Sequence, residues 1–65
     1  MTIEDPLATF GQRLIELRKK KGFSQEGLAL ESGLARSYLG GVERGQRNIA
    51  VLNIYRLAEA LGVAP

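Results

Sequence analysis

Sixty-five residues make one domain with a small core, since a chain of this length buries only about 60% of the surface it would expose unfolded. The composition, 45% hydrophobic and 25% charged, is that of a globular protein, and the absence of Cys and His excludes disulfides, structural zinc and Cys or His catalysis. The net charge is only +2, yet the stretch 18–47 carries Arg18, Lys19, Lys20, Lys21, Arg36, Arg44 and Arg47 against Glu26, Glu31 and Glu43, an asymmetry that favours a polyanionic partner.

No segment approaches the apolar length needed to span a membrane, and Met1 to Ala8 lacks the basic start and apolar run of a signal peptide. A soluble, cytoplasmic protein is therefore expected, with no membrane partner, no cofactor and no small-molecule ligand.

Phe10, Leu14 and Leu17 recur at spacings of four and three, which predicts a first helix with one buried stripe. Asp5 and Pro6 suit its start, because an Asp side chain accepts from first-turn amides and Pro loses nothing at the first helical position. Three lysines complement the dipole near Lys21, and Gly22 supplies a left-handed stop. Ser24 reads as the cap of a second helix, Gln25 to Ser32, with Leu28 and Ala29 inward and Gly33 as its end.

A third helix is expected from Leu34 to about Arg44, with Leu39 and Val42 on its inner face and Gly45 closing it. Gly40 and Gly41 weaken it by about 1 kcal/mol each relative to Ala. They are either a device for close backbone approach or a tolerated weakness. Val51, Ile54, Leu57, Ala58 and Leu61 then define a fourth helix that Gly62 ends, with Asn48 its expected cap. The expected core is Phe10, Leu14, Leu17, Phe23, Leu28, Leu34, Leu39, Val42, Val51, Ile54, Leu57 and Leu61. The fold class is all-α, a compact bundle of four to five short helices in one domain, residues 1–65.

The stretch Gln25 to Arg44 is the distinctive one: two short helices joined at a glycine, with small Ala29 four residues before Gly33 where a steep crossing needs room. This is the pattern of a helix-turn-helix, with a recognition helix at about 35–44. The strings RLIELRKKKGFSQEGLALESGL, ARSYLGGVERGQRN and IYRLAEALGV, in this order, resemble the lambda-repressor and Cro-like, or XRE-type, helix-turn-helix family over roughly Phe10 to Val63. RSYLGGVERGQRN looks most like the controller proteins of restriction-modification systems.

The resemblance implies a transcription regulator that binds double-stranded DNA, often as a homodimer with a fifth helix. It places Ser24 and Gln25 against a DNA phosphate, and Arg36 and Ser37, with Ala35 and Gly41, on base-facing positions. Arg36 is the leading reader, because a guanidinium can bond guanine O6 and N7 together in the major groove. Arg47 and Asn48 fall in a loop that family members lay along the sugar-phosphate backbone. Tyr38 is open between a phosphate hydrogen bond and packing on the helix surface. Arg18 and Glu43 stand where the family has a structural ion pair. Ala35 and Ala50 stand where Ser or Thr caps are usual, and Ile49 where Pro is common.

Leu52 and Tyr55 lie off the inner stripe of the fourth helix and are candidates for a partner surface. The rival reading is an antitoxin-like protein-interaction module that uses this face, with DNA contact secondary. An enzyme is not expected, since the Gly-rich stretch 40–45 lacks a phosphate-loop Lys.

Overall fold

The computed structural model describes residues 5–65, so Met1–Glu4, half of the segment read above for a leader, lie outside the described residues. Asp5 caps the first helix: its Oδ1 accepts from the Leu7 amide at 3.0 Å, and Pro6 follows as the first residue of α1, Pro6–Lys20. Ser24 repeats the device for α2, Gln25–Ser32, with Oγ accepting from the Gly27 amide at 2.9 Å. Helices α3, Arg36–Glu43, and α4, Val51–Leu61, complete the described residues, which contain no strand. None of these helices is long and apolar enough to cross a membrane.

Neither α3 nor α4 has a side-chain cap, because Ala35 and Ala50 occupy the capping positions. Asn48, expected to cap α4, is exposed two residues upstream of Ala50, and the backbone carbonyl of Ala50 receives the Asn53 and Ile54 amides instead. These two helices therefore depend on packing more than α1 and α2 do. At eight residues α3 is well below the length at which an isolated helix is stable.

The turn between α2 and α3 requires Gly33, whose φ of 74° lies in the left-handed region, and the Leu34 amide closes it onto Ala29 O at 3.0 Å. Leu14, Leu28, Ala29, Leu39, Val42, Leu57 and Leu61 form the buried core, and Phe10, Leu17, Phe23, Leu34 and Tyr38 pack against its edge. Helix α3 rests on α1 and α2, and α2 rests on α4. Val51 departs from the expected core: it is 68% exposed at the first position of α4, whose buried residues are Leu57, Ala58 and Leu61.

Two contacts set how α1 and α3 cross. A Cβ on Gly11 would stand 2.5 Å from Glu43 O and 2.6 Å from Val42 O, so the helix backbones meet at a point only glycine permits. Beside it, Arg18 Nε donates to Glu43 Oε2 at 2.7 Å and Nη2 to Oε1 at 3.1 Å, with the Glu43 side chain 3% exposed. The third guanidinium nitrogen, Nη1, donates to Phe23 O at 3.1 Å, so Arg18 also holds the chain entering α2.

Gly11→Ala is expected to destabilise the domain by about 1–3 kcal/mol through overpacking, opposite in sign to the gain of up to ~1 kcal/mol that helix propensity alone would supply. The sign is read from urea unfolding. Arg18→Met or Glu43→Leu alone leaves a buried charge without its mate and is expected to cost about 3 kcal/mol, whereas the double variant recovers most of that loss. A double-mutant cycle on the same unfolding curves checks it.

Candidate nucleic-acid interface

Helix α3 is held from behind and open in front. Leu39 and Val42 are buried in the core and Glu43 is tied to α1, which leaves Ala35, Arg36 and Ser37 exposed on its first turn. Among the described residues Arg36 has no ion-pair partner. With Ala35 as cap, no side chain closes the first-turn amides of α3, so this end presents unpaired N–H groups and the positive end of the helix dipole beside a free guanidinium.

Gln25 stands at the first position of α2 and reaches α3: its Nε2 donates to Glu43 Oε1 at 3.0 Å. One amide hydrogen and Oε1 are left for an outside partner. Ser24 is exposed, but its Oγ is engaged in capping α2. The phosphate role that the family resemblance implies for Ser24 would fall to a side chain already holding one amide.

Gly41, expected among the base-facing positions, is not on the open surface of α3. It is buried under Arg47, whose Cγ lies 2.6 Å from where a Gly41 Cβ would be. The first turn and the 44–50 loop, not the middle of the helix, make the outer surface here. Arg47 itself is exposed, with its guanidinium carbon 5.9 Å from the centre of the Tyr38 ring, within the range of a cation–π contact. Asn48 follows it and is exposed.

Tyr38 is half-buried against the core, and its hydroxyl oxygen accepts from Asn53 Nδ2 at 3.1 Å. The structure thus gives Tyr38 a packing role, while its hydroxyl hydrogen is still available to an acceptor. Asn53 had no signal in the sequence: it is a polar residue off the apolar stripe of α4, fifteen positions from its partner. Arg44, counted in the basic stretch but given no contact role, is exposed at the end of α3; its Nε donates to Gln46 Oε1 at 3.0 Å, and its Nη1 lies over Gly40. Arg36, Arg44 and Arg47 together put three exposed guanidinium groups on α3 and the loop that follows it.

Helix α4 carries a different kind of surface. Val51, Leu52 and Tyr55 are 68%, 63% and 58% exposed, and Leu52 and Tyr55 line an open groove of about 560 Å³ with Glu31, Arg56 and Glu59. Large apolar side chains clustered on one helix mark a surface suited to a protein partner rather than to a polyanion.

Residues 14–65 match the helix-turn-helix family model. Control protein C.BamHI of Bacillus amyloliquefaciens is 46% identical over 57 residues, 86% of this chain and 70% of that protein. The crystal structure of the restriction-modification controller protein C.AhdI from Aeromonas hydrophila has 61% sequence identity and a TM-score of 0.91, over 94% of this chain and 92% of that one. The restriction-modification controller C.Esp1396I, a tetramer in complex with its natural 35-base-pair operator, is similar at 33% identity and a TM-score of 0.83, over 89% of this chain and 76% of that one. With its capped α2, its left-handed turn at Gly33 and its outward first turn of α3, the chain belongs to the XRE-type helix-turn-helix family.

Proposed function

We propose that this protein is a sequence-specific double-stranded DNA-binding regulator that places the start of α3 in the major groove. The observation that carries this reading is the free Arg36 guanidinium on an uncapped helix start, held in place by a core and an ion pair on the opposite side. In the groove, Arg36 reads base edges through its two-pronged fork, Ser37 adds a short donor or acceptor, and Ala35 offers an apolar contact. Gln25, at the start of α2, and the loop residues Arg47 and Asn48 hold phosphates, which fixes register without reading sequence. The likeness to C.AhdI and C.BamHI supports control of a restriction-modification system as the biological use.

The exposed Val51, Leu52 and Tyr55 on α4 support a homodimer, the arrangement that lets two α3 helices address half-sites about one helical turn apart. This surface is also the observation behind the rival reading, in which binding to another protein is primary. DNA binding is favoured because three exposed arginines, Arg36, Arg44 and Arg47, gather on α3 and the loop after it, whereas the apolar cluster is on α4.

Selection from random duplexes is expected to return a palindrome. On the selected site, Arg36→Ala is expected to cost about 1–3 kcal/mol and to relax preference at one position per half-site. Arg47→Ala is expected to weaken all duplexes alike and to reduce the salt slope by about 1. Unchanged preference in the Arg36 variant would remove it as the reader. Leu52→Glu is expected to shift the chain from dimer to monomer in sedimentation at micromolar concentration; a monomeric wild-type protein at high micromolar concentration would overturn the dimer.

A further inference from the structure

Consecutive glycines inside an eight-residue helix weaken it relative to alanine, so Gly40 and Gly41 call for a reason. Both are buried, and what covers them is not the core. A Cβ on Gly40 would meet Arg44 Nη1, the far end of a flexible side chain, at 3.1 Å, and the Gln25 amide at 3.5 and 3.6 Å, ordinary contact distances. Gly41 is different: the obstruction there is the stem of Arg47, with Cγ at 2.6 Å and Cβ and Cδ each at 3.6 Å. No alanine fits at 41 while that stem stays where it is.

The rest of the seat is fixed. The Gln46 amide donates to Gly41 O at 2.9 Å, which pins the residue before Arg47 to the end of α3. Tyr38, one turn back from Gly41, lies 5.9 Å from the guanidinium carbon and is itself held through its hydroxyl by Asn53. A flexible arginine stem is thus confined between a bare helix backbone, a tethered turn and a fixed aromatic ring.

We propose that Gly41 is a positioning residue: its missing side chain seats the Arg47 stem against α3 and so holds the loop guanidinium over Tyr38, ready for nucleic acid. This rests on the DNA-binding reading above and assigns Gly41 a role that needs no contact with a base. Seating removes beforehand the rotamer freedom that an arginine would otherwise lose on binding. The glycine weakens α3 and strengthens the interface.

The test is a double-mutant cycle on the duplex selected by the wild-type chain, read together with nuclear Overhauser contacts in the free protein. Gly41→Ala is expected to lose the contacts between the Arg47 side chain and the Tyr38 ring, and to bind about tenfold more weakly, the size of one charge-assisted contact. Arg47→Ala should lose a similar factor, and the double variant no more than Arg47→Ala alone. If Gly41→Ala fails to fold, Gly41→Ala combined with Arg47→Ala should fold, because an alanine at 47 keeps only the atom at 3.6 Å.

Wild-type affinity in Gly41→Ala, or the same loss from Gly41→Ala whether or not Arg47 is present, would overturn the proposal. So would a double variant that stays unfolded. Wild-type affinity in Arg47→Ala would also overturn it, while leaving groove reading by Arg36 intact. A wild-type chain that selects no duplex would sink the DNA-binding reading and the role of the seat in it, and the Overhauser contacts would still decide whether the seat exists.

Discussion

The carboxylate of Glu43 is the point through which α1, α2 and α3 are joined. Its two oxygens accept from Arg18 Nε, Arg18 Nη2 and Gln25 Nε2, and its side chain is almost wholly out of water. Its backbone takes part as well, since the Glu43 carbonyl is where α1 comes closest, over the bare Cα of Gly11. A buried ion pair of this kind adds little net stability over a well-packed apolar alternative, because two desolvated charges offset most of their attraction. What it does is penalise every arrangement in which the three partners separate. Rotating α3 about its axis, or sliding it along α1, would strand a charge.

That constraint acts at one end of α3 and is used at the other. Arg36 lies seven residues upstream of Glu43, about 10 Å along a helix axis, and the two buried apolar side chains between them, Leu39 and Val42, stop the helix from rolling. The first turn can then be exposed without being loose. Tyr38 adds a second anchor through Asn53 of α4, so the face carrying Arg36 and Ser37 is braced from all three other helices. Reading bases through one long side chain demands this, because the fork must arrive in the plane of the base edge.

Features governed by local chemistry were legible in the sequence. Asp5 and Ser24 cap as their side chains dictate, and Gly22, Gly33, Gly45 and Gly62 all take positive φ where a helix ends. The Arg18–Glu43 contact was reached by resemblance, since nothing in either residue's neighbourhood identifies a partner twenty-five positions away. Gly11 was missed for the same reason: within a helix a glycine reads only as a weakness until the crossing helix is known. Asn48 was preferred as a cap because its side chain can do what Ala50 cannot, yet the chain stays irregular through residue 50 and α4 starts uncapped. Val51 keeps the spacing of the inner stripe but stands exposed at the first position of α4, whose buried residues begin at Leu57. On the surface, arginine type and position pointed to α3 and its loop, while the burial of Gly41 beneath Arg47 needed coordinates.

The helix proposed to enter the groove is also the one least able to form by itself. It has eight residues, an alanine where a capping side chain would stand, and two internal glycines that together cost about 2 kcal/mol relative to alanine. Its helicity is borrowed from α1 and α2 through Leu39, Val42 and Glu43. The distribution of weakness follows from what each residue faces. The inward positions keep large apolar or bonded side chains, because they hold the helix. Gly41, which lies under the stem of Arg47, is stripped to hydrogen, because that stem needs the space. Stability and recognition therefore draw on different faces of the same two turns, and strengthening α3 by filling Gly41 would remove the room that the Arg47 stem occupies.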